Sequence, residues 1–265
     1  MLIAISTSVL RVTVCEMGND DKSIAESWDG LVAHVRKESS ELVLLPELPF
    51  FPWPTSKEQF NLDSWGRSVL SHDQWVARFG EMYGAILAGT RPVARNGKRV
   101  NEGFIWTEDG GYKGVHEKRP LPDEEGNWEA TWYDRGDDVF EPVEVRGMKL
   151  GFLICSELWA MWHAKDYGKS GAHVIATPRL TGKASLEKWL AGGRASAVVS
   201  GCFSISSNRT GVRGDSGGFG GMGWIIDQDG GVLATTSASN PFVTREIDLD
   251  AAVRAKGTYP RYCLD

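Results

Sequence analysis

Gly151-Phe152-Leu153-Ile154-Cys155-Ser156-Glu157-Leu158-Trp159 is an apolar run of the length of a buried strand that ends at a cysteine and then turns polar. A thiol in that place stands at the carboxyl end of a strand, where open α/β sheets gather their chemistry. Two readings stay open on this stretch alone. Cys155 is a nucleophile, or it is a core cysteine, the common fate of a small and mostly buried thiol.

Working outward, residues 139–145 and 149–154 read as strands that deliver Cys155. Downstream the pattern alternates: helix over 161–169, strand over 173–177, helix over 186–200 and strand over 203–207. Upstream, residues 9–16 are β-branched and alternating, with 2–6 as a short strand or an extension. A helix capped by Asn19 or Asp20 follows, carrying Ile24, Trp28, Leu31, Val32 and Val35 at helical spacing. Leu42-Val43-Leu44-Leu45 is a continuous apolar run suited to a strand covered on both faces. It stops at Pro46 and Glu47, a carboxylate that either caps a loop or sits in a cleft.

The aromatic loop Phe50-Phe51-Pro52-Trp53-Pro54 is pocket wall or plain packing. A helix over 63–82 and a strand over 85–89 precede a hairpin, 100–107 and 112–117, turned at Glu108-Asp109-Gly110-Gly111 and closed by Lys118. The aperiodic stretch 119–136 is long for an idle loop, and Asp123-Glu124-Glu125 reads as its solvated tip. The glycine-rich stretch 211–223 lacks the Lys-Ser/Thr and the capped helix of a phosphate cradle, so it reads as a flexible or close-packed turn. Strands over 224–227, 232–235 and 242–247 end the pattern. With no linker or repeat, the expectation is α/β, one domain over residues 1–265.

Hydrophobic content of 42% with 24% charged residues describes a globular chain with a core of its own. A net charge of −6 argues against nucleic acid or an anionic membrane surface as the main partner and leaves small molecules. Cys15, Cys155, Cys202 and Cys263 are scattered, as are His34, His72, His116, His163 and His173, so no disulfide framework and no metal site is expected. The first ten residues lack a basic segment and no run reaches spanning length, which makes the cytoplasm the expected location.

Three candidates therefore stand at strand ends: Glu47, Lys118 and Cys155. Leu44-Leu45-Pro46-Glu47, His116-Glu117-Lys118-Arg119-Pro120-Leu121-Pro122 and Gly151 to Glu157 resemble, in order and spacing, the three motifs of the nitrilase superfamily of carbon–nitrogen hydrolases. Residues 189–194, Ser207-Asn208-Arg209 and 223–227 extend the resemblance over nearly the whole chain. It implies a single-domain α-β-β-α sandwich, usually a homodimer or a higher homo-oligomer, acting without a cofactor on a small amide or nitrile. It also implies roles: Cys155 as nucleophile, Glu47 as its base, Lys118 as oxyanion donor, and Glu129 as the second glutamate of the loop, with Glu124, Glu125 and Glu157 as rivals. Glu129 is favoured because it lies among aromatics, where an unpaired carboxylate is unfavourable.

Ser156-Glu157-Leu158-Trp159 matches neither the nitrilases' Trp-Glu nor the arginine segment of several N-carbamoyl hydrolases, so amide hydrolysis is expected ahead of nitrile or carbamoyl hydrolysis. Val199-Ser200 stands where the family commonly has Glu-Asn, a departure that bears on local packing. Phe51, Trp53, Trp128, Trp132, Ser156, Trp159 and Arg179 are the candidate substrate-binding residues. Arg179 is expected either to grip an anionic substrate end or to pair with a loop carboxylate.

Overall fold

The computed structural model describes residues 8–212 and 217–263. The possible strand over 2–6 lies outside the described residues. The chain opens with β1 (Val9–Met17), α1 (Asp21–Glu38) and β2 (Leu42–Leu44). Asp20 caps α1: its carboxylate accepts from the Ser23 N–H at 3.0 Å while the Asp20 N–H donates to the Ser23 hydroxyl at 3.1 Å. Ile24, Trp28, Leu31 and Val35 make the buried stripe of that helix.

Next come α2 (Leu62–Val76), a tight 3-10 turn (Phe79–Met82), β3 (Ile86–Arg95), β4 (Lys98–Thr107) and β5 (Gly111–Glu117). The helix expected over 63–82 thus ends early. The turn sends Phe79 and Met82 fully inward, where Phe79 stacks on Phe104 at 5.4 Å. Strand β3 also outruns its expected end, passing Pro92 to the turn at Asn96 and Gly97, both with positive φ. Pro92 is tolerated because β2 pairs only with Ile86–Ala88, so beyond that point β3 has no neighbour on the β2 side.

The second half runs α3 (Glu129–Trp132), β6 (Val143–Val145), β7 (Met148–Phe152), α4 (Met161–Lys169), β8 (Val174–Pro178), α5 (Leu186–Ser200) and β9 (Phe203–Val212). It closes with β10 (Gly218–Gly220), β11 (Trp224–Ile226), β12 (Val232–Thr235), β13 (Phe242–Asp248) and α6 (Leu249–Ala255). The glycine-rich stretch is in part a strand pair, β9 with β10. Helix α6, absent from the sequence reading, starts at Asp248, whose side chain accepts from the Asp250 N–H.

Two sheets form. One runs β13-β1-β2-β3-β4-β5 and the other β12-β11-β9-β8-β7-β6, with parallel centres β1-β2-β3 and β7-β8-β9. They meet where β1 runs beside β9 at Glu16 with Asn208 and Met17 with Arg209. Side-chain alternation separates the layers. Val12, Val14, Leu42, Leu44, Ile86 and Ala88 of the first sheet share one core with Leu150, Phe152, Val174, Ala176 and Ile205 of the second. The opposite faces take helices: Cys15, Val43, Leu45 and Leu87 pack under α1. On the other sheet the ring of Tyr167 from α4 lies so close to Gly151 that a Cβ there would meet it at 2.8 Å. The result is the α-β-β-α sandwich. Among the described residues no helix is long and apolar enough to cross a membrane.

Candidate active site

Glu47 follows β2, Lys118 follows β5 and Cys155 follows β7, so two sheets contribute strand ends to one place. Lys118 Nζ donates to Glu47 Oε1 at 2.7 Å and to Glu129 Oε2 at 2.6 Å. Lys118 and Glu47 are fully buried, Glu129 is 1% exposed and Cys155 is 5% exposed. A cation taken this far from water is held by opposite charge on two sides. Burial opposes the Lys118 ammonium, but Glu129 and Glu47 overcome it and hold its pKa well above the usual lysine range. Asn101 of β4 adds a bond from Nδ2 to Glu47 Oε1 at 2.8 Å. The other oxygen, Glu47 Oε2, is buried with no hydrogen-bond partner among the described residues.

Cys155 begins a 3-10 turn (Cys155–Trp159) in the left-handed region, at φ 48°, and Leu48, directly after Glu47, is there as well at φ 46°. Non-glycine residues in that region typically carry about 1–3 kcal/mol of strain, a feature that gathers at functional sites. Burial pushes the Cys155 thiol far up and Glu47 adds to the rise, while Lys118 and a hydrogen bond from the Leu180 backbone offset part of it. The resting sulfur is therefore a thiol beside a carboxylate with one open oxygen.

A brace holds the lysine strand to the cysteine turn. Glu157 Oε2 accepts from the Ile154 N–H at 2.8 Å and bonds His116 Nε2 at 2.8 Å, while Oε1 accepts from the Arg119 N–H at 2.9 Å. Burial disfavours the His116 imidazolium, yet the Glu157 carboxylate outweighs it and raises the His116 pKa. Glu157, a rival for the loop glutamate's place, is thus occupied with both neighbours of the site. The other rivals, Glu124 and Glu125, are exposed at the loop tip.

The family model described as Carbon-nitrogen hydrolase matches residues 11–256. The chain belongs to this family. Among curated proteins, this carbon-nitrogen hydrolase is 29% identical over 239 residues to the 2-oxoglutaramate amidase of Bacillus subtilis (strain 168), covering 85% of this chain and 86% of that one. Among solved structures, the carbon-nitrogen hydrolase from Helicobacter pylori G27 superposes with a TM-score of 0.84 at 22% identity, covering 97% of this chain and 95% of that one. A variant of the amidase from Nesterenkonia sp. AN1, with the acetamide moiety of fluoroacetamide added covalently at its active-site cysteine, superposes with a TM-score of 0.74 at 16% identity over 96% and 95% of the two chains. The two structures share the fold of this hydrolase, and the amidase relative aligns with it over most of both chains.

The candidate substrate residues separate into groups. Trp53 and Trp132 are buried in one apolar cluster with Leu48, Trp65, Tyr133, Leu180 and Phe219, and Trp128 packs against it. Trp159 lies elsewhere: it is 47% exposed, rests on Trp189 at 4.6 Å and lines a surface cleft of about 550 Å³ together with Ser156. The Ser156 hydroxyl donates to the Pro120 carbonyl at 2.6 Å. Phe51 is half-buried under the Arg67 guanidinium at 5.8 Å.

Arg179 corrects the expectation of a carboxylate partner. It is fully buried, donates to Ser206 Oγ at 2.7 Å, Thr181 Oγ1 at 3.0 Å and the Met222 carbonyl at 2.6 Å, and lies 4.0 Å over the Trp224 ring. Burial lowers its pKa to about 9. Asn101 and His116 were missing from the sequence-derived site, where Glu157 stood only as a rival for the loop glutamate's place. The asparagine inside the apolar run 100–107 was the one available signal, since a buried amide demands partners.

Proposed function

We propose that this carbon-nitrogen hydrolase is a cysteine-dependent amidase that cleaves small linear amides through a thioester. One observation carries the reading: the buried Lys118 ammonium is shared by Glu47 and Glu129 beside a strained cysteine. In this mechanism the open oxygen of Glu47 takes the Cys155 proton as sulfur attacks the amide carbon. Two N–H bonds of Lys118 are committed to carboxylates and its third faces the charge that develops on the carbonyl oxygen, with the backbone N–H that follows Cys155 as a second donor. Collapse of the tetrahedral species breaks the C–N bond, and the proton held by Glu47 leaves with ammonia or an amine. Water then attacks the thioester, with Glu47 again as base, and the acid departs as the sulfur regains its proton.

Glu129 keeps Lys118 charged and aimed. The relatives support this reading: one is named for an amide substrate, and another carries an adduct on its cysteine. The test is ammonia release from a panel of aliphatic amides including 2-oxoglutaramate. Wild type should release ammonia and Cys155→Ala should not; equal release by both would refute the mechanism.

A further inference from the structure

Buried polar groups in proteins nearly always have partners, so an exception asks for a cause. Two stand in the apolar cluster beside the site: the Trp53 indole N–H and the Tyr133 hydroxyl have no hydrogen-bond partner among the described residues. Both side chains are deeply buried, Trp53 7% and Tyr133 2% exposed. Several other rings of the same kinds are paired. Trp28 donates to Glu81, Trp132 to the Lys57 carbonyl and Trp224 to Ser204; Tyr112 donates to Glu102 and Tyr167 to the Phe152 carbonyl. Among the described residues, the Trp53 and Tyr133 donors are thus the aromatic ones left fully buried and unpaired.

The cluster also touches the reacting groups. It contains Leu48, the residue after Glu47, and Leu180, whose backbone bonds the Cys155 sulfur. Tyr133 itself follows α3, one turn after Glu129, and its N–H bonds the Glu129 carbonyl at 2.8 Å. Burial and the nearby Glu129 and Glu47 carboxylates keep its hydroxyl protonated, hence a donor. An indole N–H can only donate.

We propose that the Tyr133 hydroxyl and the Trp53 N–H read a hydrogen-bond acceptor on the acyl chain, so that the preferred substrates are amides bearing a second oxygen function, a ketone or a carboxylate. The inference rests on the cysteine-amidase reading and deepens it. Donors built to be filled by substrate discriminate strongly, because an analogue lacking the acceptor leaves them buried and unpaired.

The test compares kcat/KM for pentanamide, levulinamide and glutaramate, which share chain length and differ in the distal oxygen, with wild type, Tyr133→Phe and Trp53→Phe. Wild type should favour the oxygen-bearing amides, and Tyr133→Phe should lower their kcat/KM ratio to pentanamide by about tenfold, the scale of one lost hydrogen bond. A fall for levulinamide alone identifies a ketone as the acceptor, and a fall for glutaramate alone a carboxylate. A wild-type ratio near one, or a ratio unmoved in both variants, overturns the inference while leaving the amidase reading intact. Hydrolysis that survives in Cys155→Ala overturns the amidase reading instead. Should wild type turn over none of the three, calorimetric titration of Cys155→Ala decides: heat with levulinamide or glutaramate that vanishes when Tyr133→Phe is added supports the donor pair, and absence of heat refutes it.

Discussion

Lys118 and Arg179 are both fully buried cations close to Cys155, yet their surroundings differ in kind. Lys118 is answered by two carboxylates, Arg179 by two hydroxyls and a carbonyl. Accordingly, the lysine's pKa is held well above its ordinary value, whereas the arginine's falls to about 9. Opposite charges can be loosened and rearranged around a reacting group without losing the ammonium. Dipoles that fully engage a guanidinium fix the loop after β8 instead. On the proposed mechanism the first cation serves chemistry and the second architecture.

The largest effect should come from Lys118→Met. It removes the oxyanion donor of the proposed mechanism and leaves Glu47 and Glu129 without the cation they share. Turnover should fall by about 10²–10³-fold, and denaturant melts should show a loss of roughly 3–5 kcal/mol, the usual consequence of stranding a buried charge. If activity survives, Lys118 is a structural cation like Arg179 and the contrast collapses.

Arg179→Met should act in the other order, destabilising the fold by about 1–3 kcal/mol as the Met222 carbonyl loses its donor, the Ser206 and Thr181 hydroxyls keeping Thr177 and Asn208 as partners, while changing kcat/KM by less than roughly tenfold. A far larger kinetic loss on anionic amides alone, with stability intact, would make Arg179 a substrate ligand after all.

The smallest effect concerns His116. Its pKa is raised in the folded chain by Glu157 against the pull of burial. A raised folded pKa contributes stability that is fully present below about 6.5, the unfolded value, and is lost as pH climbs through the folded one. Melting temperatures of wild type and His116→Gln should therefore differ most in mildly acid buffer and converge at higher pH. A gap that widens with pH would show that the brace works through neutral hydrogen bonds alone.

The sequence exposed the strand ends because continuous apolar runs broken by Pro46, by the polar step after Cys155 and by the Glu108 to Gly111 turn can hardly be read otherwise. Glu129 was singled out by the family resemblance, its aromatic neighbours only favouring it over Glu124, Glu125 and Glu157. Other features depend on contacts that no local pattern encodes. Glu157 meets His116 across 41 residues because β5 and β7 bring their ends together from different sheets. Two of the three partners of Arg179 arrive from β9 and from the segment before β11, so its role could not be read from Pro178 and Leu180. The extension of β3 past Pro92 was hidden because proline ordinarily argues against a strand, and only the shortness of β2 permits it here.

The most direct test of the central claim is intact-mass and peptide-mapping analysis of wild type and Glu47→Gln, each acid-quenched during incubation with a small amide that wild type hydrolyses. Wild type should carry one acyl group, located on the Cys155 peptide, and Glu47→Gln, which lacks the base that takes the thiol proton, should carry none and turn nothing over. An adduct on Cys15, Cys202 or Cys263, or full turnover by Glu47→Gln, would contradict the account.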